Sequence, residues 1–395
     1  MRVLHLAPPP PQPDRLTAHT FIDEEIDALR ATGVECLTLG AIADGRWSER
    51  ATATAFAAKH VSGLTAAALR APRETLYAVR AEMAAAQLIR DERIDLIHSH
   101  FGWPAGFGGT LAAADTGVPL VASLRGMDLL ALPAIGYGLS LDPAYRAAVR
   151  ELVRRAARTL YATEYMRARG IDTGAPPDRT VVIRKGVDLV RFHPPGHRAA
   201  ARSVVGVVGP MILAVGTLSP RKNLAVVLDA LAPLVGLPWT FVIVGDGAER
   251  DALEMRAAAI GIGDRVRFAG AIGRGDIGRF FSAADVFVHA AVMEAAGNVI
   301  LEALAAGCPV VCADAGGPSE YVERGRTGFV VPRSDAAAMS DALCQLLASP
   351  ALRCRMARAA RESAERDFAY RRMIADYARV YADVIGEPAS RRRYA

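Results

Sequence analysis

Short apolar runs rich in Val, Ile and Leu alternate along this chain with longer stretches whose apolar residues recur every three to four positions. In the first half the short runs are Val3–Ala7, Val34–Leu39, Asp95–His100, Pro119–Leu124, Thr159–Ala162 and Thr180–Arg184. In the second half they are Met211–Val215, Thr240–Val244, Val266–Ala269, Val286–His289, Pro309–Cys312 and Gly328–Val331. Runs without polar alternation predict strands buried on both faces, and the helical stretches between them predict parallel α/β architecture. The segment HTFIDEEIDALRATG shows the helical half of the rhythm. Its Phe21, Ile22, Ile26 and Leu29 fall on one face, and Gly33 stands where a helix ends. A Pro/Gly-rich stretch, Phe192–Pro210, separates the halves. The expected result is two doubly wound domains facing across a cleft, residues 1–194 and 195–367, followed by an apolar-faced helix over 368–386. In such sheets ligands bind beyond the carboxyl ends of the strands.

Composition narrows the class. At 395 residues, 52% hydrophobic and 23% charged, the chain reads as an ordinary globular protein of two or three domains. No apolar run is long enough to span a bilayer, and the polyproline after residue 7 cuts short any secretory signal. Five cysteines without a CxxC pair or zinc spacing fit a reducing cytosol, so a cytoplasmic location is expected. The net charge of +5 is nearly all arginine and predicts no nucleic-acid partner. Residues 146–191 hold eleven Arg/Lys against five Asp/Glu. That patch is either a solvated helix face or a surface for anionic headgroups or an anionic acceptor, which would make the protein peripheral at the inner face of the membrane.

The densest chemistry lies in VFVHAAVMEAAGNVILEALAAGCPVV, residues 286–311. A strand runs into a loop carrying Glu294; Gly297, Asn298 and Val299 open a helix, and Glu302 lies one turn inside it. Free N–H groups at a helix start, with the positive end of its dipole, suit a phosphate. Two acceptor-only carboxylates beside that point suit paired hydroxyls. Together they describe a sugar nucleotide. The plainer alternative makes Glu294 a dipole complement and Glu302 a surface charge. MILAVGTLSPRKN, residues 211–223, ends another strand at Gly216 and Thr217 and presents Arg221 and Lys222. Fixed cations aimed at a departing diphosphate lower the barrier, by about 3 kcal/mol each on the scale of oxyanion donors. Gly245-Asp246-Gly247 after the next strand is expected to be mainly structural.

The Glu294–Glu302 spacing resembles the E-x7-E signature of the retaining glycosyltransferases of family 4, and GCPVV and Gly316–Asp335 continue that likeness. The resemblance implies the GT-B fold, with the last helix crossing back onto the first domain. It implies a retaining, metal-independent hexosyltransferase using a nucleotide-sugar donor and a glycan or lipid-linked acceptor, with no cofactor, in bacterial polysaccharide biosynthesis. The first domain would bind the acceptor and the second the donor. Glu294, Arg221 and Lys222 would carry catalysis. Gly216, Thr217, Gly297, Asn298, Val299 and Glu302 would hold the donor, and Ile272 would line the base pocket. Thr217 replaces the arginine usual in the family's Gly-Arg-Leu segment, and Arg221 beside Lys222 is the expected substitute.

On the first domain the cleft wall is expected to include Thr17, Thr20, His100, Arg125 and Asp128. The Thr17–Phe21 segment is similar to a variant seen in exopolysaccharide-type members. Arg125-Gly126-Met127-Asp128 stands where relatives carry His-Gly-x-Asp. A guanidinium cannot act as a base near neutrality, but it can hold a carboxylate, a phosphate or a leaving-group charge. Lys185-Gly186-Val187-Asp188 through Phe192 resembles the family's Asn-Gly-Val-Asp segment. The absence of any D-x-D or His/Asp cluster with ligand spacing in the sequence agrees with a metal-free reaction. Two other classes compete: a non-catalytic sugar-nucleotide binder, and a nicotinamide-dependent oxidoreductase, which would want a G-x-G-x-x-G after an early strand.

Overall fold

The computed structural model describes residues 1–7, 20–39 and 72–386. Thr17, the polyproline stretch and the terminal arginines lie outside them. The chain divides into two compact units, one formed by Met1–Arg184 with Ile374–Ala395, the other by Lys185–Met373. Each is built on a sheet of six strands in which every pairing is parallel.

The first sheet comprises β1 (Arg2–Leu6), β2 (Glu35–Leu39), β3 (Leu96–His100), β4 (Leu120–Ser123), β5 (Arg158–Tyr161) and β6 (Thr180–Val182). Their spatial order is β2-β1-β3-β4-β5-β6. The second comprises β7 (Met211–Val215), β8 (Thr240–Val244), β9 (Val266–Gly270), β10 (Val286–His289), β11 (Val310–Ala313) and β12 (Gly328–Val331). Their order is β12-β11-β10-β7-β8-β9. The expected strands are all present, with ends moved by no more than two residues. Every residue of β3, β4, β10 and β11 is buried, as the unbroken apolar runs predict for strands covered on both faces. Exposed positions appear at the edges, in β2 and β9.

Helices supply the cover. Ile22, Ile26 and Leu29 of helix Thr20–Ala31 are buried, and Gly33 follows its end at φ +88°. In the second unit, Val227 and Leu231 of helix Leu224–Leu231 share one apolar core with Leu343 and Leu346 of helix Ala336–Ala348 and with Ile212, Ile243 and Val288 of the sheet.

The division between units falls at Arg184/Lys185, ten residues before the expected 194/195, and at Met373/Ile374 rather than 367/368. The shift has a local cause. Val187 N–H donates to Phe368 O at 2.8 Å, Arg361 donates to Phe192 O at 3.0 Å, and Phe192 meets Phe281 edge-on. The Lys185–Phe192 segment is thereby held in the second unit. The last helix, Tyr370–Gly386, sends Tyr377 and Tyr381 into the core of the first, where the Tyr381 hydroxyl is 2.6 Å from His98 Nδ1.

Candidate active site

In the second sheet the strand order reverses between β7 and β10, the adjacent strands from which the chain winds outward in opposite directions. The carboxyl ends of strands at such a reversal leave a crevice that loops from both sides can line. The two loops singled out from the sequence leave from these ends. After β7 the chain passes Gly216 and Thr217 into a single turn, Pro220–Lys222, and then helix Leu224–Leu231. After β10 it passes Glu294 into helix Asn298–Ala305.

The structure brings Glu294, Arg221 and Lys222 together. Arg221 Nη1 lies 2.7 Å and Lys222 Nζ 2.5 Å from the same carboxylate oxygen, Glu294 Oε2. All three side chains are 15–17% exposed. Burial disfavours the carboxylate, but Lys222 and Arg221 outweigh it and hold the carboxyl well below the usual range. Two cations on one carboxylate leave a net positive charge. His289, the last residue of β10, sits behind them, with Nε2 3.9 Å from the same oxygen. Its pKa is pushed down to about 3, first by burial and then by Lys222, so the ring is neutral.

Main-chain bonds fix this geometry. Val292 N–H donates to Arg221 O at 3.0 Å, Glu294 N–H to Ala315 O at 3.0 Å, and Gly317 N–H to Glu294 O at 3.2 Å. A Cβ on Gly317 would lie 1.8 Å from Ala295 O, so only glycine lets the Gly316–Tyr321 turn approach this closely. Gly297 adopts φ +75° as the N-cap of helix Asn298–Ala305, and no side chain caps that end. Ile300 N–H turns back to Gly297 O at 2.9 Å, which leaves the Asn298 and Val299 amides facing the helix start, where an anion is favoured. Glu302, 7% exposed, lies inside the helix. The neighbouring loops are laced together. Gly216 N–H donates to Val244 O, Leu218 N–H to Asp246 O, and Gly245 N–H to Gly270 O, all at 2.8–2.9 Å. Gly245-Asp246-Gly247 is thus a brace, and it ties the loop carrying Ile272, which is partly exposed.

The first unit ties Arg125, Asp128 and His100 into its own hydrogen-bond network. Arg125, read as able to hold a carboxylate, a phosphate or a leaving-group charge, is engaged by the Glu25 carboxylate through both oxygens at 2.6 and 3.2 Å. The two side chains are 5% and 4% exposed, and the guanidinium lies over the Phe21 ring. Asp128 is buried. It accepts from the Gly102 amide at 2.7 Å and the Arg125 amide at 3.2 Å, which braces the loop. Burial pushes its carboxyl up against the pull of those amides. His100 is also buried. Its Nδ1 is 2.6 Å from Arg125 Nη2, an obligate donor, so Nε2 carries the proton toward His5 Nδ1 at 3.1 Å. His98 binds Ser123 and Tyr381 through its two nitrogens. His5, His98 and His100 hold ligand atoms within 4.8 Å of one another. The hydrogen bonds of His98 and His100, and the adjacent guanidinium, make the group a proton-ordered network rather than a ready metal cage. Thr20 opens helix Thr20–Ala31.

Sequence reasoning missed Glu25, Tyr381 and His289. Glu25 left a signal, since it stands between Ile22, Ile26 and Leu29 on the inward stripe of its helix. Tyr381 sat on a recognised apolar face, but its partner was nearly 300 residues away. His289 closed an apolar strand and looked like its boundary.

A model of the Glycosyltransferase Family 4 domain matches residues 18–191, and one of the Glycosyl transferases group 1 domain matches residues 205–363. The D-inositol 3-phosphate glycosyltransferase of Streptomyces scabiei is 35% identical over 312 residues, covering 74% of this chain and 68% of that protein. That of Streptomyces coelicolor is 32% identical over 328 residues, covering 75% and 70%. Among solved structures, Anabaena HepE in complex with UDP superposes with a TM-score of 0.76 at 22% identity, covering 97% of this chain and all of that one. Sucrose-phosphate synthase from Thermosynechococcus elongatus gives 0.79 at 21%, covering 97% and 99%. These likenesses show a GT-B fold. The chain belongs to the group 1, family 4 glycosyltransferases and is an enzyme of glycosyl transfer. Among the described residues no helix is long and apolar enough to cross a membrane.

Proposed function

We propose that the protein is a retaining, metal-independent hexosyltransferase that takes its sugar from a nucleoside-diphosphate donor bound in the second unit. The observation that carries this reading is the meeting of Arg221, Lys222 and Glu294 at the strand-order reversal, beside a helix start with no side-chain cap. Arg221, Lys222 and the Asn298 and Val299 amides hold the diphosphate, with Gly216 and Thr217 lining the same loop. Glu294 engages the hexose hydroxyls, Glu302 the ribose, and Ile272 borders the base. The cations carry the leaving-group charge that a metal carries elsewhere, and the leaving phosphate helps take the acceptor's proton. HepE binds UDP-glucose in its own structure, which supports a uridine donor as the first to try.

The first unit binds the acceptor. A hydroxyl of a glycan or lipid-linked sugar, in polysaccharide assembly, is the acceptor proposed. The names of the relatives support a second reading, in which the acceptor is a phosphorylated cyclitol. Arg146, Arg150 and Arg154 form an exposed row on helix Pro143–Arg155 and support work in the cytoplasm against anionic headgroups. Flotation with anionic and neutral vesicles tests that contact; equal binding to both would dismiss it.

The central test is thermal-shift screening with UDP-, GDP- and ADP-hexoses, followed by transfer assays with and without EDTA. One donor is expected to stabilise the enzyme, EDTA to leave the rate unchanged, and the product to keep the donor's anomeric configuration by NMR. Stabilisation by none of them would refute the donor assignment. Glycan and D-inositol 3-phosphate acceptors, run in parallel, separate the two acceptor readings.

A further inference from the structure

The second unit holds a buried polar group that the reading above leaves unused. His289 is 3% exposed, and neither of its ring nitrogens has a hydrogen-bond partner. A neutral imidazole carries one N–H and one lone pair. Leaving both unpaired in a buried setting is unfavourable, and a hydrocarbon side chain would fill the same place in Val286–His289 without that penalty. The imidazole therefore has a use in another state of the site.

That state follows from the charges. Glu294 Oε2 takes both cations, Arg221 and Lys222. A diphosphate must draw those cations to itself, and the carboxylate then loses both charge-assisted bonds. His289 Nε2 lies 3.9 Å from the same oxygen. A movement of about 1 Å brings it to hydrogen-bond distance. Arg221, Lys222 and Glu294 are the charged groups that act on the ring.

We propose that His289 is a positioning residue for Glu294: its ring N–H becomes the donor to the carboxylate when a diphosphate takes Arg221 and Lys222. This rests on the reading of the site as a diphosphate-sugar site. The exchange keeps the carboxylate ionised and aimed while the cations serve the leaving group.

The test uses His289→Leu and His289→Met, which remove the donor, and His289→Gln, whose amide nitrogen replaces Nε2. The probes are inorganic pyrophosphate, by calorimetry, and turnover of whichever UDP-, GDP- or ADP-hexose the wild type hydrolyses. The apolar variants are expected to melt no lower than wild type without ligand. They should bind pyrophosphate about tenfold more weakly and turn over about tenfold more slowly, the weight of one hydrogen bond. His289→Gln should recover most of both. Apolar variants that match wild type in pyrophosphate affinity and rate overturn the proposal, as does equal loss in all three variants. A wild type that ignores pyrophosphate, or a Glu294→Ala variant at full rate, would instead sink the underlying reading of the site.

Discussion

Each unit places arginine, carboxylate and histidine beside the strand ends of a parallel sheet, yet the two groups are built to opposite purposes. In the first, one arginine, Arg125, meets one carboxylate, Glu25, in bidentate geometry while also reaching His100, and both are sealed from solvent. In the second, Arg221 and Lys222 share one oxygen of Glu294, and all three keep some exposure. The two groups differ in charge count and in access. A matched, dry pair has nothing to offer a ligand, whereas two cations on one carboxylate can be drawn off by a stronger anion.

The widest separation should appear in turnover. Replacing both Arg221 and Lys222 by methionine is expected to lower kcat by at least about a thousandfold, measured at a temperature where circular dichroism shows the variant folded. A loss below tenfold would mean the cations do not face the leaving group. The converse should hold for Arg125. Arg125→Met leaves Glu25 as a buried unpaired charge and is expected to destabilise by about 3–5 kcal/mol in urea titrations. The double change Arg125→Met with Glu25→Leu should regain most of that loss. If Arg125→Met were neutral to stability yet inactive, the sealed pair would be a ligand site after all.

A further contrast concerns pH. His5 and His289 are both pushed down to about 3, each chiefly by burial. Between the ordinary histidine value and 3 the unfolded chain binds protons that the folded chain refuses, so stability must fall as pH falls through that window. Each histidine contributes a limiting slope of about 1.4 kcal/mol per pH unit. His289→Leu should therefore flatten the acid limb of a stability–pH curve, leaving the His5 share. An unchanged limb would show that the ring is protonated in the folded protein.

Much of the fold was legible because parallel strands covered on both faces announce themselves as apolar runs, and β7, β8 and β10 fall on the residues so marked. Edge strands were uneven: β12 coincides with its run, whereas β6 is a three-residue element within the longer Thr180–Arg184 run. The grouping at Glu294 was legible too, since strand-end logic places Arg221, Lys222 and Glu294 on one side of one sheet. The work of Arg125 was not, because its partner lies 100 residues away on a helix read only for its apolar stripe. A side chain's neighbours across a fold leave no trace in local periodicity.

The way the Glu294 loop is fastened has a consequence for how such enzymes diversify. Its anchors at Val292, Glu294 and Gly317 are peptide groups, and peptide groups do not change when side chains are exchanged. An exchange at the exposed Thr217 therefore leaves the acid in register, and the loop can change its surface without rebuilding the scaffold.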